Sequence, residues 1–195
     1  PATIEKNTQL IQQSLKKGCS LMAVVKADGY GHGSETVARA ALLGGADSLG
    51  VATLKEGIDL RNAGLTCPIL VMGNLINPED FNTCFNNKLI ATISSQKELE
   101  ICEQIAKKFE NRFSIHLKVD TGMTRLGCPL DTAKHLLDII QRNDYIKLDG
   151  VYSHLACADS YGNLEEDDFT KIQQIKFESV FEWITSNKKE VSFHL

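Results

Sequence analysis

Short apolar runs alternate along this chain with longer stretches in which apolar residues recur at helical spacing. Each apolar run is short and bounded by glycine, proline or polar residues, which is typical of a buried strand. The pattern predicts seven strands, over residues 21–26, 48–52, 69–72, 89–93, 114–119, 148–153 and 191–195.

Amphipathic helices are predicted in the gaps between these strands. We expect them over residues 34–43, 55–63, 95–108, 131–142 and 165–186. Gly64 follows the second helix, and glycine is common just past a helix end. Serines precede the third helix and Glu98 lies in its first turn, a capping-box pattern.

Strands that alternate with helices imply an α/β fold with parallel strands and crossover helices. Two architectures fit, a doubly wound open sheet and a (β/α)8 TIM-type barrel. Seven strands without an antiparallel hairpin signal favour the barrel. Because the seventh strand runs into Leu195, we expect an incomplete barrel that lacks its eighth strand, as one domain over residues 1–195.

Composition narrows the class of protein. The chain has 195 residues, 43% of them hydrophobic, and a formal net charge of -4. It has no basic patch for nucleic acid and no apolar run near the roughly 20 residues that span a bilayer. Six widely spaced cysteines without a C-x-x-C pair argue against a zinc or redox motif and favour reduced thiols in the cytoplasm.

Lys26 is the first residue that suggests chemistry. It follows an apolar strand that we expect to be buried on both faces, where an ammonium is costly unless it is used. A lysine at such a strand end can form a Schiff base with a carbonyl. On this segment alone, an ordinary surface lysine is an equally good interpretation. The glycines around Tyr30 allow a sharp turn and leave room for a bulky ligand.

Other unusual polar residues also follow predicted strands, where both candidate folds place their active sites. Lys118 and Arg125 follow the fifth strand, His154 follows the sixth, and His194 ends the seventh. A lone strand-end histidine is more often structural than catalytic. The convergence of these residues on one edge makes a functional site the better hypothesis.

The sequence excludes several chemistries. It contains no G-x-x-x-x-G-K-[ST] or G-x-G-x-x-G phosphate loop, no G-x-S-x-G nucleophile elbow and no H-E-x-x-H metal site. A lysine suited to imine chemistry remains, with a tyrosine, an arginine and a histidine. Imine chemistry on amino acids usually requires pyridoxal 5′-phosphate (PLP).

Four segments carry a resemblance to one family. Residues 23–33, Ala-Val-Val-Lys-Ala-Asp-Gly-Tyr-Gly-His-Gly, closely resemble the PLP attachment signature of alanine racemases. Residues 118–127 look like the family's Lys-x-Asp-Thr-Gly-Met-x-Arg-Leu-Gly segment, and residues 150–159 resemble its histidine segment. Residues 193–195 look like the start of a further motif. The resemblance runs over essentially the whole chain.

This resemblance implies a role for each matching position. Lys26 would hold PLP as a Schiff base and move the substrate α-proton on one face. Tyr30 would contact the cofactor phosphate, and Arg125 the phenolic oxygen of the cofactor. His154 would pack against the pyridine ring. Met72 matches a position that lines the cofactor pocket, although ordinary strand core explains it equally well.

Further implications concern Lys118 and the departures from the family pattern. Lys118 resembles a lysine that is carbamylated in many members, where the added carboxylate orients the arginine. Asp28 and Gly29 replace the more usual Asn-Ala, and Thr124 stands where glycine is common. We expect these substitutions to have little effect.

The implied function is that of an alanine racemase, a PLP-dependent isomerase that supplies D-alanine for peptidoglycan in a bacterial cytoplasm. The family's opposite-face base lies in a carboxyl-terminal β domain and acts across a homodimer, so we expect the chain alone not to racemise alanine. Serine, lysine and broad-specificity racemases share the attachment motif. A non-catalytic PLP-binding barrel is the main alternative, and a structural domain is a further one. Related decarboxylases have attachment loops that do not look like residues 26–33.

Overall fold

Helices and strands alternate through the computed structural model, which describes residues 1–159, 164–186 and 191–195. The elements are α1 (Ala2–Ser14), β1 (Met22–Val24), α2 (Lys26–Gly31), α3 (Ser34–Leu43), β2 (Ser48–Val51), α4 (Leu54–Asn62), β3 (Ile69–Val71), α5 (Pro78–Asn86), β4 (Ile90–Ile93), α6 (Gln96–Lys108), β5 (Phe113–Lys118), α7 (Leu130–Gln141), β6 (Ile146–Tyr152), α8 (Leu164–Ser186) and β7 (Ser192–His194). Every predicted strand and helix is present, with ends moved by at most two residues, whereas α1, α2 and α5 were not predicted individually.

The chain divides into two compact units, Pro1–Thr92 and Ile93–Leu195. In the first unit β1 to β4 pair in chain order and every pair is parallel, with Ala23 opposite Leu49 and Leu49 opposite Ile69. Leu49 and Ile69 are fully buried. Helix α4 packs closely on this core, since a Cβ added at Gly57 would lie 2.9 Å from the Leu89 side chain.

In the second unit β5, β6 and β7 are also parallel and follow the chain order. Leu117 pairs with Val151, and both are fully buried. Helices α6 and α7 contribute buried apolar residues such as Leu99 and Leu136 to this core. Parallel strands joined by crossover helices in both units are the repeating element of the predicted (β/α)8 barrel.

Helix capping follows the sequence signals closely. The Ser95 hydroxyl accepts a hydrogen bond from the Glu98 N–H, as predicted for α6, but the Glu98 carboxylate returns its bond to the N–H of Ser94 rather than Ser95. A complete capping box occurs instead on α4, between Thr53 and Glu56. Each cap fixes where a helix begins after a strand.

The expectation that the strand before Lys26 is buried on both faces was wrong. Val24 is 37% exposed, and Met22 and Ala23 are only half-buried. Among the described strands β1 pairs with β2 alone, so one of its edges lies open. No helix in the described part of the chain is long and apolar enough to cross a membrane.

Candidate functional site

Lys26 opens a single helical turn, α2, that is left-handed. The φ angles of Ala27, Asp28, Gly29 and Tyr30 are 52°, 53°, 60° and 54°. This conformation costs an L-residue about 1–2 kcal/mol, and only glycine adopts it freely. Three non-glycine residues in succession around one glycine therefore require support from surrounding contacts.

Two carboxylates supply that support. One oxygen of Glu56 accepts a hydrogen bond from the Ala27 N–H at 2.7 Å, while the other accepts from the N–H of Thr53 at 2.9 Å. Asp28 accepts from the N–H of Ser34 at 2.8 Å, at the start of α3. The turn after Lys26 is thus fastened to the beginnings of both α3 and α4.

Close packing against α3 and hydrogen bonds from His32 hold the end of this turn in place. A Cβ added at Gly29 would lie 2.8 Å from the Val37 side chain, so this glycine allows α3 to pack closely on the turn. His32 Nδ1 lies 3.2 Å and 3.1 Å from the carbonyl oxygens of Gly29 and Tyr30. Because carbonyl oxygens only accept, Nδ1 carries the proton.

The side chains at this turn are accessible to a ligand. Lys26 is half-buried, and Tyr30 is 59% exposed. Met72 follows β3 in the same unit, and a Cβ added at Gly50 on β2 would lie 3.4 Å from its sulfur. Since β2 separates β1 from β3, the ends of those two strands lie roughly 10 Å apart. Lys26 and Met72 therefore lie at one edge of the first unit.

In the second unit Lys118, Arg125 and His154 line one small pocket. Its remaining lining residues are Val119, Asp120, Met123, Leu126 and Ser153. Lys118 is 7% exposed, whereas Arg125 and His154 lie at the surface. The structure thus brings together Lys118, the last residue of β5, with the predicted residues in the loops after β5 and β6.

The segment that carries Arg125 folds back on the end of β5. Asp120 donates its N–H to the Cys128 carbonyl at 2.8 Å, and Cys128 donates to the Lys118 carbonyl at 3.0 Å. Gly127 makes this close return possible, since its φ is +112° and a Cβ there would lie 2.8 Å from the Asp120 nitrogen. The backbone around Arg125 is therefore fixed by a short, closed ladder.

Asp120 also organises the turn inside this loop. One of its carboxylate oxygens accepts from the N–H groups of Gly122 at 2.9 Å and Thr124 at 3.0 Å. Thr124 has a φ of +57°, a left-handed conformation that glycine adopts without strain. A glycine would adopt this conformation at lower cost, and the Thr124 hydroxyl compensates in part by donating to the Gly122 carbonyl.

Two histidines pair inside the second unit, beside Lys118. Nδ1 of His116 lies 3.1 Å from Nε2 of His194, and the Tyr152 ring stacks on the His194 ring at 4.7 Å. The Lys118 ammonium lies 4.9 Å from the centroid of the Tyr152 ring, a cation–π contact. Gly150 leaves room for the His116 ring, because a Cβ there would overlap it.

Both histidines are held neutral. Burial, and secondarily the neighbouring His194, lower the pKa of His116 to about 3. Burial, and secondarily the positive charge of Lys118, lower the pKa of His194 to about 4. At neutral pH one ring therefore donates a hydrogen bond and the other accepts it.

Comparisons with known proteins identify a family for the whole chain. The family described as "Alanine racemase, N-terminal domain" matches residues 1–195. The chain belongs to this family.

Individual proteins similar to this chain are named as members of the same family. An alanine racemase from Prochlorococcus marinus is 51% identical over 195 residues, which are 100% of this chain and 50% of that protein. An alanine racemase from Clostridium difficile 630 superimposes with a TM-score of 0.88 and 28% identity, over 99% of this chain and 52% of that one. The same enzyme in complex with cycloserine gives 0.89 and 29%, over 98% and 52%. The chain thus spans about half the length of these relatives, and the predicted fold class, an incomplete (β/α)8 barrel, is confirmed.

Three residues that shape these two regions, His116, Glu56 and Gln173, were not identified from the sequence. His116 stands between apolar residues in a strand, which was a signal of a buried polar group, but it was not named. Glu56 is recognisable only as a helix cap, not as a support for the Lys26 turn. Gln173, which is fully buried on α8, gave no signal because its neighbours in sequence are mostly polar and exposed.

The histidine pair predicts that the folded chain becomes less stable as the pH falls. Each histidine has an ordinary pKa of 6.5 and a lowered pKa in the folded chain. Below about pH 6.5 the unfolded chain therefore binds protons that the folded chain does not, so stability falls as pH falls. We expect the free energy of unfolding to decrease from about pH 7 to about pH 5, by up to about 1.4 kcal/mol per pH unit for each histidine. Urea denaturation across this range measures the slope.

The matched comparison is between a buried and an exposed histidine. His116→Gln removes one titrating ring and is expected to flatten the slope, whereas His135→Gln, at an exposed position on α7, is expected to leave it unchanged. Equal slopes in the parent chain and in His116→Gln would contradict the assignment of the acid sensitivity to the pair.

Proposed function

We propose that this chain is the PLP-binding barrel domain, over residues 1–195, of an alanine racemase that interconverts L-alanine and D-alanine. The observation that carries the proposal is Lys26, at the end of β1 on a strained left-handed turn, in a chain that the family matches from end to end. We further propose that the whole protein acts as a homodimer in the cytoplasm and supplies D-alanine for peptidoglycan.

The chemistry of the residues fits PLP. Lys26 supplies a half-buried primary amine, and Tyr30 supplies an exposed phenol hydroxyl that can donate to a phosphate. Arg125 supplies an exposed guanidinium in the same pocket lining as Lys118 and His154, and it can donate to a phenolate or a carboxylate. When bound, PLP supplies an electron-accepting ring that stabilises the charge left by loss of an α-proton.

Each residue then has a role of its own. Lys26 would bind the cofactor covalently, and its Nζ would be the atom that holds the α-proton on one face of the substrate. Tyr30 would hold the phosphate, Met72 would line the cofactor pocket, and His154 would pack on the ring. Arg125 would orient the phenolic oxygen and contribute near the substrate carboxylate.

Lys118 is proposed as a carbamylation site. The Lys118 ammonium first loses a proton to solvent. The neutral Nζ then attacks the carbon of carbon dioxide, an N–C bond forms as one C–O π bond opens onto oxygen, and a second proton leaves to solvent, so a cation becomes an anion. Burial beside the Tyr152 ring and a shared pocket with Arg125 support this proposal. With carbon-13 bicarbonate we expect a carbamate NMR signal that Lys118→Ala lacks; a signal of equal intensity in that variant would place the modification elsewhere.

Reductive trapping tests the cofactor assignment. PLP is titrated into the chain, the visible absorbance of a Schiff base is followed, and borohydride reduction fixes the bond for peptide mapping by mass spectrometry. We expect the label on Lys26. Labelling spread over surface lysines, or none at all, would contradict the proposal.

Hydrogen exchange in heavy water distinguishes a racemase from a non-catalytic PLP-binding barrel. A racemase exchanges the α-hydrogen of alanine for deuterium, because its lysine removes and returns that proton. A carrier protein binds PLP at the same lysine but leaves the α-hydrogen in place. The whole protein that carries this domain is expected to exchange the α-hydrogen and to produce D-alanine from L-alanine.

A further inference from the structure

Gln173 lies fully buried on α8, between the two loops that carry Arg125 and His154. Its Oε1 accepts a hydrogen bond from the Ala156 N–H at 2.9 Å, and its Nε2 donates to the His154 carbonyl at 3.1 Å. Nε2 also lies 3.1 Å from the Thr121 hydroxyl oxygen. Every hydrogen of the amide nitrogen thus has a partner, which a buried amide requires.

The partners fix the orientation of this amide. A main-chain N–H can only donate and a main-chain carbonyl can only accept, so the atom facing Ala156 is oxygen and the atom facing His154 is nitrogen. Nε2 must therefore donate to Thr121. The Thr121 hydroxyl in turn is free to donate its proton to the Ser153 hydroxyl, 2.8 Å away. One continuous chain of hydrogen bonds runs from α8 through the loop after β5 to the end of β6.

The Gln173 side-chain amide makes the two hydrogen bonds that a neighbouring parallel strand would make. In a parallel sheet a residue donates to one main-chain carbonyl and accepts from the N–H two residues further on. Gln173 makes this pair of bonds with residues 154 and 156, directly beyond Tyr152, where β6 ends. The side chain therefore keeps the His154 segment extended after its sheet partner has ended.

Close packing fixes α8 against the other loop as well. A Cβ added at Gly122 would lie 2.9 Å from the ring of Phe169 and 3.7 Å from Cγ of Gln173. Phe169 and Gln173 are one helical turn apart, so a single face of α8 contacts the Thr121–Gly122 backbone. The amide and the ring together leave this loop little freedom.

We propose that Gln173 is a positioning residue for the cofactor, acting through the main chain of His154 and the hydroxyl of Thr121. The inference rests on the proposed function, because it assigns the two loops to PLP. It identifies α8, rather than a residue that contacts the ligand, as the element that sets the relative position of the β5 and β6 loops.

The first test replaces Gln173 by an apolar residue of similar shape. Gln173→Met removes the three hydrogen bonds, and Gln174→Met, at the exposed neighbouring position, is the matched control. We expect the Kd for PLP, measured by absorbance titration, to rise at least about tenfold in Gln173→Met and to be unchanged in Gln174→Met. Hydrogen exchange of the peptide that contains the Ala156 amide is expected to accelerate only in Gln173→Met.

The second test uses charge to separate hydrogen bonding from packing. Gln173→Glu keeps the shape and the acceptor for Ala156, but an ionised carboxylate cannot donate to His154 or Thr121. Because burial raises a carboxyl pKa, protonation near neutral pH restores one donor. The ratio of its Kd for PLP to that of Gln174→Glu is therefore expected to fall as pH falls from about 8 to about 6.5.

The outcomes separate the two levels of the proposal. A parent chain that forms no Schiff base contradicts the proposed function itself. A parent chain that binds PLP, with Gln173→Met binding it equally well, contradicts the positioning role, as does a pH-independent ratio for Gln173→Glu. If Gln173→Met does not fold, the glutamate ratio alone decides.

Discussion

Replacing Lys26 by arginine is expected to abolish the Schiff base with PLP completely. Arginine keeps the positive charge, but its guanidinium remains protonated and cannot act as the nucleophile. The fold should not suffer, because the bond that ties the turn to Glu56 comes from the main-chain N–H of Ala27. We expect the free energy of unfolding to change by less than about 0.5 kcal/mol, because the half-buried side chain keeps its charge and the turn loses none of its main-chain hydrogen bonds.

Absorbance, borohydride labelling and urea denaturation measure these effects on one preparation. The control is Lys55→Arg, at an exposed position of α4 where the ammonium pairs with Asp59 at 2.6 Å. This variant should form the Schiff base like the parent chain. If Lys26→Arg retained the absorbance and the label, Lys26 would not be the attachment residue, however strained its turn.

The succession of elements was predictable because strands and helices leave periodic signals in the sequence. Helix α3 has the predicted ends, and all seven strands lie where apolar runs indicated them. Helix α5 was missed although Asn77 caps it and Pro78 occupies its first turn, since its apolar positions are few. Helix α1 has no side-chain cap and buries only Thr8, so the sequence carries little trace of it.

The left-handed turn after Lys26 was beyond prediction for a different reason. Glycines in the segment indicated a sharp bend, but Ala27, Asp28 and Tyr30 are residues that locally avoid positive φ. Their conformation is imposed by Glu56, 29 positions away from the N–H that it accepts from. Contacts at such separation leave no periodic pattern in the sequence, and the same holds for Gln173, 52 positions from Thr121.

The candidate site residues also fall into two groups, those with a local signal in the sequence and those whose arrangement depends on contacts distant in sequence. Lys26, Arg125 and His154 were recognisable because they follow strand ends and match long motifs. Lys118 and Arg125 prove to line one pocket with His154, which strand order alone made plausible. The pairing of β5 with β6 shifts its register between Ile115 and His116, directly beside the His116–His194 pair. No pattern in the sequence indicates such a shift.

Gly127→Ala is expected to cause the largest loss of stability of any single methyl added in the Arg125 loop. The residue has a φ of +112°, and the new Cβ would lie 2.8 Å from the Asp120 nitrogen and 2.9 Å from the Val119 carbonyl carbon. These are backbone atoms of the ladder that closes the loop, so they cannot move aside as a flexible side chain can. Strain of about 1–3 kcal/mol and overpacking of about 1–3 kcal/mol together predict a loss of about 2–6 kcal/mol.

Gly64→Ala separates the two contributions. Its φ of +83° imposes the same kind of strain, but no atom lies within 4 Å of the added Cβ. Urea denaturation should therefore show a loss of only about 1–3 kcal/mol for Gly64→Ala and clearly more for Gly127→Ala. The Kd for PLP should rise in Gly127→Ala alone, because only that loop carries Arg125. Equal losses of stability in the two variants would mean that the backbone hydrogen bonds between Cys128 and residues 118 and 120 shift to make room for the methyl group. The backbone around Arg125 would then be less rigid than those hydrogen bonds indicate.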